Sequence, residues 1–146
     1  DSDGNGVPEV RAGFSSSNYF DSEGEIEVGN WYHIAVVGKA SGDMDIYING
    51  ILDSSATGFS ATTEPEAIII GADTGTELAC FKGIIDEVAI FNRALADSEI
   101  RQVYRNLGRF SGNETGLVGY WNFDADEGDI VKDVSPYHND GKLGDI

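Results

Sequence analysis

The 146-residue chain is 40% hydrophobic with 19 glycines, and its 26 acidic against 9 basic residues give a formal net charge of −17. That balance leaves no basic patch able to release phosphate counterions, which excludes nucleic acid and an anionic membrane surface as partners. No apolar run approaches the ~18 residues of a membrane span, no signal-peptide pattern opens the chain, and the single Cys80 allows no intrachain disulfide. The length suits one domain that buries about two-thirds of its unfolded surface. The acidic surplus fits salty surroundings and cation sites, or simply a solvated surface. A first residue Asp rather than Met reads as a processed product or an excised piece of a longer protein.

Asp1-Ser2-Asp3-Gly4-Asn5-Gly6 places oxygen ligands at positions 1, 3 and 5 and glycine at 6, as an EF-hand loop does. The twelfth position, which should carry a bidentate Glu, is Ala12, and Val7–Phe14 reads as a strand, so a solvated hairpin turn fits better. Ser15–Asn18 is a loop. Glu23 to Val28 alternates and puts Glu23, Glu25 and Glu27 on one face of an expected water-facing edge strand. Retaining glycosidase chemistry would need two carboxyls about 5 Å apart, which such a stripe could imitate.

Trp31 to Val37 is a β-branched, aromatic and small run, and Met44 to Asn49 alternates. Met44, Ile46 and Ile48 share one face, with Asp45, Tyr47 and Asn49 on the other. Lys39–Asp43 has turn composition, and Asn49-Gly50 is a strong two-residue hairpin signal leading into Ile51-Leu52-Asp53. Three antiparallel strands in a meander follow. Ser54 to Glu66 is polar and irregular, with Phe59 as a candidate exposed aromatic. Ala67–Gly71 reads as a short central strand, Ala72–Glu77 as an acidic loop, and Leu78–Phe91 as one long strand or two bent at Gly83. Cys80 in Leu78-Ala79-Cys80-Phe81 reads as a buried structural thiol.

Ala96 to Leu107 is the one clear helix, with Ile100, Val103, Tyr104 and Leu107 at i, i+3, i+4 and i+7. Asp97 or a neighbour caps its start, Gly108 ends it, and it needs packing to persist, most simply as a plug at one end of a sandwich. Arg109–Thr115 is linker-like and carries the sequon Asn113-Glu114-Thr115.

The blocks W-Y-H-I-A-V-V then D-I-Y-I-N-G, and later Phe81–Leu95 followed by Ser98-Glu99-Ile100, resemble the laminin-G-like, concanavalin A-type jelly-roll module. The likeness is to its bacterial branch, common in large secreted proteins, and covers roughly residues 24 to 107. Gly116–Asp124 and Val131–Leu143 resemble the opening strands of the same family, displaced to the end of the chain. The resemblance implies an all-β antiparallel jelly-roll β-sandwich with one short α-helix. It divides the chain into a partial sandwich at 1–108, a linker at 109–115 and an opening-strand segment at 116–146. That segment completes this sandwich as in a circular permutant, completes a neighbour's, or begins the next module of a tandem array. Gly116–Phe123 is expected to lie antiparallel beside Ile84–Phe91.

The E-x-D-x-x-E arrangement of catalytic concanavalin-like glucanases is absent, and neither His33 nor His138 belongs to a recognisable catalytic or Cys-His metal set. No catalytic residues are assigned and no enzyme is expected. In the resembling family an ion joins the opening turn to the closing strand, which maps a calcium site onto Asp86, Asp133 and Asn139; equally, Asp86 could hydrogen-bond the backbone of the Asp133–Gly141 turn without metal. The expected function is a secreted or cell-surface, non-catalytic binding or adhesion module for a polysaccharide or extracellular protein, stabilised by calcium. The rival is a structural repeat or polymer subunit assembled by strand exchange between its own copies. Exposed aromatics would mark the first and unpaired apolar strands the second.

Overall fold

The computed structural model describes residues 8–15, 18–59, 68–72 and 80–144. They form an all-β antiparallel sandwich with one short helix, in three sheets. A hairpin pairs β1 (Arg11–Ser15) with β2 (Asn18–Asp21). A three-stranded sheet runs β3 (Ile34–Gly38), β4 (Met44–Ile48), β5 (Ile51–Ala56). A four-stranded sheet runs in the order β6 (Val88–Phe91), β7 (Leu117–Glu127), β8 (Ile130–Asp133), β9 (Gly141–Lys142).

The meander forms as its alternation requires. Ile34 pairs Ile48, Val36 pairs Ile46, and Gly38 pairs Met44. Lys39 and Asp43 close the first turn through the Lys39 N–H donated to the Asp43 carbonyl at 2.8 Å. Asn49 (φ 53°) and Gly50 (φ 75°) both take the left-handed conformation that a type I′ turn needs, which asparagine tolerates and glycine adopts freely.

Each face of β4 is covered, which explains its burial. On one face Met44 and Ile46 pack with Ala12 and Phe59, joined by Phe20 of the β1–β2 hairpin. On the other, Tyr47 packs with Val37 and with Ile100 of α1 (Asp97–Arg105). The face carrying Asp45 and Tyr47 is therefore not a water face; both residues are only 3% exposed. Asp45 survives there by accepting from Ser55 Oγ at 2.7 Å and pairing with Lys39 Nζ at 2.5 Å. Burial disfavours its charge, yet these partners outweigh that and lower its pKa.

The helix lies across the β3–β4 face rather than plugging an end of the sandwich. Its N-cap is Ala96, which has no side-chain oxygen, so Glu99 supplies half a capping box by accepting the Ala96 N–H at 2.8 Å. Arg93 holds Glu99 from the other side, and the two bonds bring that carboxyl down to about 2. Asp97 instead accepts the Tyr47 hydroxyl at 2.7 Å, tying helix to sheet.

Several expected elements differ. Glu23–Val28 joins no strand: the Glu23 and Gly24 amides donate to the Asp53 carboxylate at 2.8 and 2.9 Å, replacing a ladder with a side-chain clamp. Its three glutamates do remain exposed. Ile68–Ile70 forms no strand and is exposed, and Cys80 is half-buried, bridging Ala72. The closing strand begins only at Val88, after exposed Ile84 and Asp86. The acidic Asp1–Gly6 stretch, Ala67 and most of the Ala72–Glu77 loop lie outside the described residues.

The antiparallel placement of Gly116–Phe123 beside the closing strand is present within the chain: Val88 pairs Trp121, Ala89 pairs Tyr120, Ile90 pairs Gly119 and Phe91 pairs Leu117. Leu117, Tyr120 and Trp121 are buried. Arg109–Thr115 is no slack linker either. Phe110 stacks between Phe91 and Tyr120 at 5.5 and 5.2 Å, and Glu114 accepts the Ser111 and Gly112 amides.

Candidate binding cleft

Between the outer edges of β3 and β6, roofed by α1, lies an open cleft of about 1160 Å³. Its mouth is aromatic and polar. Trp31 is 66% exposed and Tyr104 42%, and the Tyr104 ring sits 6.0 Å from that of His33. His33 Nδ1 is buried with no hydrogen-bond partner among the described residues, and burial pushes the imidazole pKa down. The neutral ring is thus part of the packed wall of the cleft beside Tyr104.

Across the cleft stand Asp86 and Glu87. Glu87 (φ 54°) accepts from Arg109 Nε at 3.1 Å and from the Tyr120 hydroxyl. Burial together with this carboxylate raises the Tyr120 pKa to about 12, so the phenol stays a donor. Glu87 is thereby neutralised and fixed. Asp86 is exposed and accepts the amide of its own neighbour Glu87 at 3.0 Å, not an amide of the Asp133–Gly141 turn.

Asp133 takes the role that the metal-free reading gave to Asp86. Only 2% exposed, its Oδ1 accepts the amides of Tyr120 and Ser135, both at 2.8 Å. Its Oδ2 accepts Ser135 Oγ at 2.9 Å and the Asn139 amide at 2.8 Å. Burial opposes the charge, but these donors prevail and hold the carboxyl below its ordinary range. Asn139 completes the knot by donating Nδ2 to the Val118 carbonyl and accepting Trp121 Nε1. The structure thus brings Asp133 and Asn139 together, while the Asp86 carboxylate bonds locally. A carboxylate offers about four lone-pair positions, and all four on Asp133 face N–H or O–H donors. Among the described residues no three His, Cys, Asp or Glu side chains converge as a metal site. As folded here, the Asp86, Asp133 and Asn139 set does not fit a calcium ion.

Sequence reasoning missed the Glu87–Arg109–Tyr120 cluster, because its members come from three separate segments. The signal that could have found it is the acidic residue directly before the apolar Val88–Phe91 strand.

An antiparallel sandwich, one helix and an aromatic-rimmed cleft define a lectin-like architecture. The chain belongs to the Concanavalin A-like lectin/glucanases superfamily, whose laminin-G-type family model matches residues 1–101. No curated protein matches it. Among solved structures it is similar to a candidate carbohydrate-binding protein from Bacteroides ovatus, with TM-score 0.72 and 22% identity over 89% of this chain and 39% of that one. It is also similar to an S-layer domain-containing protein from Clostridium thermocellum, with TM-score 0.50 and 26% identity over 60% of this chain and 45% of that one. The chain thus spans less than half the length of either. No helix among the described residues is long and apolar enough to cross a membrane.

Proposed function

We propose that this chain is a non-catalytic carbohydrate-binding module of an extracellular, cell-surface protein. The observation that carries the reading is the mouth of the cleft, where two exposed aromatics, Trp31 and Tyr104, line one surface. An indole face stacks on the C–H face of a pyranose, and a few fixed polar groups set its orientation. The superfamily and the similarity to a candidate carbohydrate-binding protein support it. So does the S-layer domain-containing relative for the location. The charge of −17 points to neutral glycans, because an anionic polymer would be repelled. With Glu87 held by Arg109 and Tyr120, Asp86 has no free carboxylate partner beside it for acid–base hydrolysis.

Calorimetric titration with neutral β-glucan, xylan and mannan oligosaccharides tests this. Binding of at least one is expected, with Trp31→Ala weakening it at least about tenfold, as loss of a stacking anchor does. No binding to any of them, or equal binding by the variant, would discard the reading.

Calcium is no part of that reading, since amides and a hydroxyl fill the Asp133 carboxylate. Thermal midpoints in excess chelator and in millimolar calcium are expected to coincide. A midpoint several degrees higher in calcium would restore the ion suggested by the family resemblance.

A further inference from the structure

The floor of the cleft, away from Trp31, is walled by backbone. Among the described residues β3 and β6 are both outermost strands of their sheets, and each has a neighbour on one side only. Both line the same cleft without pairing across it. The relative direction of the two edges follows from α1. The helix starts at the end of β6, and its first residue, Asp97, bonds Tyr47, while Ile100 packs on Val37 near the end of β3. It finishes with Tyr104 against His33, just before the start of β3. Gly108 and Arg109, just past the helix, return to Glu87 at the start of β6. So β3 and β6 run the same way. Two edges of like direction are joined into one antiparallel sheet by a single strand running opposite to both.

We propose that this cleft is an acceptor site for one extended polypeptide strand, which inserts antiparallel between β3 and β6 and fuses the two sheets. The occupant follows from the chemistry of the two edges. Two facing rows of free N–H and C=O groups are matched in spacing by another backbone, and not by a sugar or a lipid chain. The strand meets the helix segment on one face and has apolar cross-strand neighbours on the other. On one side Leu95, Ile100 and Val103 of the helix segment line the cleft. On the other, Ile34 and Val36 follow the face of their partners Ile48 and Ile46, and remain 39% and 46% exposed. A strand covered by the helix on one face and flanked by Ile34 and Val36 on the other favours apolar, β-branched residues along its length. Its flanks are neutral or basic, because the chain carries −17 and both cleft arginines are already paired, Arg93 with Glu99 and Arg109 with Glu87. With β3 five residues long and β6 four, the insert needs about five to seven residues.

The test uses the whole chain and an acetylated, lysine-flanked peptide of about nine residues built from valine, isoleucine and threonine. Two further versions carry N-methyl groups on the odd or on the even residues. Along a strand, successive residues point their N–H groups to opposite neighbours, so each pattern blocks one edge. The peptide is expected to bind, both patterns to weaken it by at least about tenfold, and the outer amides of β3 and β6 to slow in hydrogen exchange. No binding, or binding indifferent to methylation, overturns the proposal. So does loss with one pattern only, which is pairing to a single edge, or a concentration-dependent dimer that protects the same amides, which is a second copy as the occupant. None of these outcomes bears on glycan titration at Trp31.

Discussion

Asp133→Ala is expected to cost about 3–5 kcal/mol of folding stability and to lower the melting midpoint by about 10–20 °C. The side chain is 2% exposed, and its loss would strand the Tyr120, Ser135 and Asn139 amides around a buried hole. Asp133→Asn keeps one oxygen but turns an NH₂ group toward donors, so about half the loss is expected. Acid adds a second signature. A carboxyl whose folded pKa lies below its unfolded value of about 3.9 stabilises fully above that value, and the gain vanishes as pH falls through the folded value. Wild-type stability should therefore fall below about pH 4, and the alanine variant should lose part of that slope. Asp45, Glu99, Glu114 and Asp140, whose carboxyls are also depressed, contribute to the rest. Equal denaturant midpoints for Asp133→Ala and wild type would remove Asp133 from this role.

Deleting residues 114–146 is expected to do more: loss of cooperative unfolding and aggregation at micromolar concentration. Leu117, Tyr120 and Trp121 are buried, and removing one large aromatic from a core already costs about 3–5 kcal/mol. The deletion strips β6 of its partner β7, takes the ring that packs on Phe110, and frees a second strand edge. Added back as a peptide, the segment should restore solubility through the Val88–Trp121 register. A truncated chain that stays monomeric and melts as the intact one does would show these strands to be a separate unit.

The same segment shows how far the chain could be read before its structure. The pairing of Gly116–Phe123 with the closing strand was legible because the Leu117–Phe123 block is too apolar for a free tail and matches a family pattern. The meander was legible for a local reason: strand period, turn composition and Asn49-Gly50 act over two to five residues. The helix was also local, within two residues at each end.

Burial of polar groups was not legible. Asp45 and Asp97 look like surface charges in sequence, and only the packing of α1 on β4 covers the Asp45 face and brings Asp97 to Tyr47. Glu23–Val28 carries a strand alternation, yet Asp53, thirty residues on, captures its amides before any ladder can form. Asp86 was the carboxylate expected to hold the Asp133–Gly141 turn without metal, and nothing local in the sequence pointed to Asp133 for that role. Backbone direction chose: four donors converge on Asp133, while Asp86 turns to solvent.

The sequence by itself therefore determined the class of fold, the central meander, the helix and the acidic surface, all set by patterns a few residues long. Tertiary structure alone decided which carboxylate is buried and why it stays charged, and that α1 roofs a face rather than an end. It also decided that two unpaired edges running the same way face one cleft. These depend on segments brought together from tens of residues apart, and no local pattern records which backbone donors will converge.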